Sequence, residues 1–306
     1  MSPRRRALLN WLVSAVVLLA LAAWLDWREI LRGLIVLNPG WLALALILAL
    51  GQTVLAAWRW RYTCARLGLT LSPRQAIEEY FLSSLANQVL PGGVLGDAWR
   101  AQRHADASQK VGPAWRSVIL ERASGQLAVV LITLSVLIFS PTWQAALERL
   151  GIALPVLLVA ALVLSGLIAL AIVLLARNRT LGTALAITWQ DARRALLNAR
   201  DLPFQLLSSL AIVATLAAVF ASAGQAASVA AGFGVLWLLA VPVLLAMLIP
   251  LSVAGWGFRE AAAAGIFMAV GLSPEQGVTV AAAYGLIVLA ASLPGALILI
   301  RTRRPS

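Results

Sequence analysis

"NQVLPGGVLGDAWRAQRHA" (residues 87–105) interrupts a chain that otherwise reads as a series of apolar runs. It sets Pro91, Gly92, Gly93, Gly96, Asp97, Arg100 and Arg103 among stretches made mostly of Leu, Val and Ala. Overall, 61% of the residues are hydrophobic and 12% charged, with a mean hydropathy of +0.90. Average soluble domains are about half apolar and about a quarter charged, so the composition points to an integral membrane protein. Several runs reach the roughly 18–20 apolar residues that a helix needs to cross about 30 Å of hydrocarbon. In that setting the quoted stretch is either a connection or a break at membrane depth. A break has consequences, because backbone that leaves the helix there must satisfy its amides and carbonyls against protein or in a water-filled cavity.

Outward from that stretch, apolar runs place spans near residues 8–25, 41–57, 117–140, 154–176, 204–223, 233–249 and 278–300, with a shorter apolar helix at 261–270. The basic residues alternate between connections. Arg4, Arg5 and Arg6, the connection from Arg59 to Arg116, that from Arg177 to Arg200, and the tail with Arg301, Arg303 and Arg304 fall on one side; Arg28, Arg32 and Arg149 fall on the other. The positive-inside rule then puts both termini in the cytoplasm and requires an even number of crossings. About eight segments satisfy this if 261–270, extended by its neighbours, completes a broken crossing. The expected fold is an all-α polytopic protein of the cytoplasmic membrane, a single domain over residues 1–306 with re-entrant segments near 80–100 and 249–270. Ala20-Leu21-Ala22 fits a signal-peptidase site, but the first run exceeds the roughly 7–15 residues of a secretory h-region and is read as a retained helix.

The net charge of +12 does not form a stripe, so nucleic acid is not an expected partner. Lys110 is the single lysine and no G-x-x-x-x-G-K-[ST] occurs, which excludes a Walker-type ATPase in these residues. Cys64 is the only cysteine and His104 the only histidine. Thiolate clusters, zinc sites and Ser-His-Asp chemistry all lack partners, so no metal or cofactor is expected, and His104 reads as a surface residue.

Ser72-Pro73-Arg74-Gln75 has the grammar of a helix start, with N-cap, N1 proline and capping-box glutamine, and Ser273-Pro274-Glu275-Gln276 repeats it. Around residues 183–200, Leu185, Trp189, Ala192 and Leu196 share a helical face from which Asp191, Arg193 and Arg194 are excluded. That pattern predicts an amphipathic helix on the membrane surface.

The quoted stretch has a counterpart, "IPLSVAGWGFREAA" (residues 249–262). Pro91, Gly96 and Arg100 recur as Pro250, Gly255 and Arg259 at the same intervals, P-x4-G-x3-R, each where an apolar run breaks and a helix restarts. Restarting helices present free N–H groups and the positive end of their dipole, and an arginine adds a bidentate partner suited to phosphate. Transporters with discontinuous helices use such paired positions for substrate. The expected substrate contacts are therefore Arg100 and Arg259, with Gly92, Gly93, Gly96, Gly255 and Gly257 allowing close backbone approach. Asp97, Glu121, Arg122 and Glu260 form the expected charge network, Asp97 and Glu260 orienting the arginines, while Pro91 and Pro250 break the helices. A charge at membrane depth costs at least ~2.5 kcal/mol on insertion scales, which makes each of these a functional candidate. No pair of carboxylates beside a nucleophile emerges, so an enzyme is not expected.

At these residues the chain resembles the lysylphosphatidylglycerol synthase transmembrane-region, or flippase-like, family. The resemblance rests on "FLSSLANQVLPGGVLGDAWRAQR", "VILERASGQLAVVLI" and "IPLSVAGWGFREAAAAGIFMAVGLSPEQGVTVAAAYGLIVLAASLPGAL" and covers nearly the whole chain. It adds Asn87 to the candidate substrate-binding residues. Larger relatives join this region to a soluble aminoacyl-transferase domain, which is not expected here. The resemblance implies a lipid translocase or headgroup-binding transporter whose partner is a membrane lipid with an anionic headgroup. The alternative expectation is a non-transporting scaffold that presents lipid to a separate membrane or soluble enzyme, a synthase or glycosyltransferase. Trp256 and Phe258 depart from the family pattern as bulky neighbours of Gly257 and Arg259.

Overall fold

The computed structural model describes residues 3–90, 93–247 and 254–302, and among them the chain is helical without strands. The first apolar run forms α1 (Pro3–Trp24), then turns through 100° into α2 (Trp27–Ile35), which Asp26 caps by accepting from Arg28 N at 2.9 Å. α3 (Pro39–Arg66) starts on Asn38, whose side chain accepts from Gly40 N and Trp41 N. The apolar run predicts its end near residue 57. Instead Ala56, Trp60, Thr63 and Cys64 continue a buried stripe at helical spacing, and the helix carries Arg59 inward where a cytoplasmic connection was expected.

α4 (Pro73–Val89) begins as its grammar predicts: Ser72 Oγ accepts from Gln75 N and Gln75 Oε1 from Ser72 N, both at 3.2 Å. α5 (Leu95–Ser108) follows the interruption, and α6 (Val111–Phe139) runs 29 residues straight through Glu121 and Arg122. Beyond it come α7 (Pro141–Arg149), the apolar α8 (Leu154–Ala176), α9 (Arg179–Ala195), α10 (Leu202–Ala226) and α11 (Phe233–Ala246). α12 (Phe258–Ala269) starts earlier than the apolar pattern suggests, which places Arg259 and Glu260 in its first turn. The last expected span is divided at Leu293–Pro294 into α13 (Pro274–Ser292) and α14 (Pro294–Thr302), where a proline amide cannot continue the hydrogen-bond ladder.

Among the described residues, α3, α6, α10 and the α13–α14 pair are long and apolar enough to cross a membrane, and the bent α1–α2 pair makes a fifth if it is one span. The protein is thus an all-α polytopic membrane protein. α8 is comparably long at 23 residues, whereas α11 with 14 and α12 with 12 are each too short to cross unaided.

α3, α10, α11 and α13 pack the larger core, where Ala217, Ala221, Ala223 and Ala281 bring backbones close around Phe220, Leu236 and Tyr284. Small residues are what membrane helices use to approach one another, since lipid gives apolar side chains no reason to prefer protein. A second cluster joins α3 to α4, α5 and α6 through Ala57, Trp60, Tyr80, Ala101 and Ala114. Arg59, Asp97, Arg100 and Glu121 are buried beside this second cluster.

Candidate functional site

α5 lies close against α4 because Gly96 has no side chain: a Cβ there would come within 2.0 Å of the Ser83 carbonyl oxygen. Asn87 fixes the register. Its Oδ1 accepts from Gly96 N at 2.8 Å, and its Nδ2 donates to Asp97 Oδ2 at 2.9 Å. Asp97 also accepts from Arg100 Nη2 at 2.9 Å and from Arg122 Nη2 at 2.6 Å. Glu121, one residue earlier on α6, accepts from Arg59 Nη2 at 2.5 Å, from Arg100 Nη2 at 3.2 Å and from the Tyr80 hydroxyl at 3.2 Å. Arg59 reaches α10 as well, donating from Nη1 to Ser209 Oγ at 2.9 Å.

Three guanidinium groups thus share two carboxylates in one connected network. The Arg100 guanidinium carbon sits 4.4 Å from the Trp60 ring centroid and 4.3 Å from that of Tyr80. These two cation–π contacts partly offset its desolvation. Its edges are less well served: Arg100 Nε and Nη1, Arg59 Nε and Arg122 Nε are buried without an acceptor among the described residues. The Arg59, Arg100, Asp97 and Glu121 side chains are at most 7% exposed, whereas Arg122 is 42% exposed and forms the outer arm.

The second constellation is local. Glu260 Oε1 accepts from Arg259 Nη2 at 2.5 Å and from Nε at 3.0 Å, while its Oε2 accepts from Gly257 N at 2.7 Å and so caps α12. The Arg259 guanidinium carbon lies 4.5 Å from the Trp256 ring centroid and 5.6 Å from that of Tyr284. Space for it on α13 comes from Gly285, where a Cβ would meet Arg259 Nη2 at 2.2 Å. Among the described residues, no hydrogen bond or ion pair joins this pair to the first network.

The structure brings Asn87, Gly96, Asp97, Arg100, Glu121 and Arg122 together in one place and Gly257, Arg259 and Glu260 in another. Gly93 and Gly255 lie in the two breaks with φ of +62° and +82°. Pro91, Gly92 and Pro250 lie outside the described residues. At the two helix starts the Gly96 and Gly257 amides donate to Asn87 Oδ1 and Glu260 Oε2. One expectation needs correction. His104 was expected at the surface; it is 6% exposed and meets the Trp60 ring edge-on at 5.6 Å, because it lies on the α5 face that carries Arg100.

Arg59, Trp60, Tyr80, Ser209, Tyr284 and Gly285 were not among the candidates. The continued buried stripe of α3 was a readable sign for Arg59 and Trp60. Ser209 is 150 residues from Arg59 and had none.

A bundle of apolar helices around a buried, branched ion network defines a polytopic membrane protein with a polar centre. Within that class the chain belongs to the lysylphosphatidylglycerol synthase TM region family, whose model matches residues 9–295. Membership places it among membrane proteins of lipid metabolism or transport. Comparison with curated proteins gives no match.

Proposed function

We propose that the chain binds the anionic headgroup of a membrane lipid at the network of α3, α4, α5 and α6 and moves that lipid across the cytoplasmic membrane, as a flippase-like translocase and not an enzyme. The supporting observation is the surplus cation: three arginines against two carboxylates, with four guanidinium nitrogens buried and lacking acceptors among the described residues. Burying a charged donor without an acceptor is costly. A phosphate oxygen supplies the acceptor and the missing negative charge together. Arg122 is the arm a headgroup meets first, and Arg100 the deeper contact. Arg259, already neutralised by Glu260, ties α12 to α13 in this reading.

A second reading, a scaffold that presents lipid to a separate synthase or glycosyltransferase, is supported by how firmly the network is held: Asp97 and Glu121 each accept from three side chains. The test reconstitutes the purified protein in vesicles carrying a fluorescent anionic phospholipid and compares wild type with Arg122→Gln and Arg100→Gln. Arg122→Gln, at the half-exposed arm of the network, is expected to slow translocation at least about tenfold, the equivalent of one charge-assisted hydrogen bond. Unchanged translocation and lipid retention in both variants overturn the proposal. Retention by a wild type that does not translocate selects the scaffold.

A further inference from the structure

The end of α9 carries a feature unrelated to the network. One face of the helix is fixed to the protein: Ala192 and Ala195 are buried, Gln205 Nε2 donates to Ala195 O at 3.1 Å, and Arg116 Nε donates to Asp191 Oδ2 at 2.6 Å. The last contact corrects the expectation that Asp191 faces away with the arginines. On the other side, Trp189, Gln190, Arg193, Arg194, Leu197 and Asn198 line an open groove of about 480 Å³. Trp189 and Leu197 are 58% and 51% exposed.

The groove is electrically unbalanced. Arg193 and Arg194 are exposed and make no ion pair or side-chain hydrogen bond among the described residues. The two neighbouring carboxylates are engaged elsewhere, Asp191 by Arg116 and Asp201 by Arg66 and Tyr62. The helix C-terminus contributes about half a negative unit, which favours arginines there but is outweighed by their two full charges. The preceding helix, α8, is a 23-residue apolar segment of a length that suits a membrane crossing, and α9 starts three residues after it. An exposed Trp and Leu next to paired arginines is the arrangement of a membrane interface, with apolar groups toward acyl chains and cations at phosphate depth.

We propose that this groove binds the phosphodiester headgroup of an anionic glycerophospholipid in the adjacent leaflet. Arg193 and Arg194 grip the phosphate, Gln190 and Asn198 meet headgroup hydroxyls, and Trp189 and Leu197 cover the glycerol and first methylenes. The site stands apart from the α3–α6 network and does not depend on what that network does.

The test is native mass spectrometry of the full chain in a neutral detergent, titrated with phosphatidylglycerol or phosphatidylcholine. Arg193→Gln with Arg194→Gln removes two basic contacts and is expected to weaken phosphatidylglycerol retention at least about tenfold. Phosphatidylcholine retention stays unchanged. Arg177→Gln with Arg179→Gln removes equal charge from the start of the same segment and is expected to weaken retention less than about threefold, as diffuse attraction would. Equal losses in the two double variants overturn the site, and so does equal retention of the two lipids by wild type. Repeating the comparison in an Arg122→Gln background separates this site from the network: the α9 difference persists there.

Discussion

α5 and α12 are built alike. Each starts after a break, carries a carboxylate in its first turn, and folds an arginine against a tryptophan and a tyrosine. Their surroundings differ. On α12 the carboxylate is the arginine's immediate neighbour, one charge answers one charge, and the same Glu260 caps the helix. On α5, Asp97 and Arg100 are drawn into contacts with α3, α4 and α6, and a cation is left over. A self-contained neutral pair holds a helix start in place. A shared, unbalanced network links four helices through one electrostatic sum, so an arriving anion alters every contact in it.

The largest effect that probes this difference is Glu121→Gln. It leaves Arg59 and Arg100 buried with one carboxylate fewer, and breaking one side of a buried ion pair costs about 3–5 kcal/mol. Glu260→Gln leaves one buried arginine, Arg259, without its carboxylate, and a single amide oxygen cannot replace both Oε1, which accepts from Arg259, and Oε2, which accepts from Gly257 N, so it is expected to cost about 3 kcal/mol, the lower end of that range. Thermal unfolding of both variants in the same detergent checks the order. If Glu260→Gln is the more damaging, the contrast between a local pair and a shared network is broken.

Next in size is Gly285→Ala. Its new methyl group collides with the Arg259 guanidinium, and overpacking of this kind costs about 1–3 kcal/mol. Because the collision involves a side-chain end, Arg259→Gln should recover part of the loss, a non-additivity readable in a double-mutant cycle. Additive losses would mean that Gly285 serves α13 in some other way and that Arg259 is not held there.

Much of the helix content was legible, for physical reasons. Apolar runs declare α3, α6 and α10, and Ser-Pro starts declare α4 and α13. The divisions were harder. The first run was read as ending at residue 25, and Asp26 just beyond it caps a second helix, while Pro294 sits inside a run that hydropathy averages over and where only the missing proline amide reveals the break. Within the site, Asp97, Arg100, Glu121 and Arg122 stood out because charge in an apolar stretch is costly. Arg59 did not: flanked by Trp58, Trp60 and Arg61, it resembles an interfacial anchor, and burial becomes visible only when the stripe through Thr53, Ala56, Trp60 and Cys64 is followed past the apolar run. Tyr80, Ser209 and Gly285 are ordinary helical residues whose roles come from what packs opposite them, which a single sequence does not encode locally.

The smallest effect concerns Ser209, among the described residues the one hydrogen bond by which the network reaches α10. Ser209→Ala removes the acceptor from Arg59 Nη1 and is expected to cost about 1 kcal/mol in lipid-free detergent. The neutral pair on α12 offers no analogue, since its charge is already matched. If the network takes up a headgroup, the phosphate supplies an acceptor to the same guanidinium cluster, and the penalty should shrink when unfolding is repeated with saturating anionic phospholipid. A penalty that is the same with and without that lipid would show Arg59 out of reach of any bound anion, leaving Arg100 and Arg122 alone to meet the headgroup.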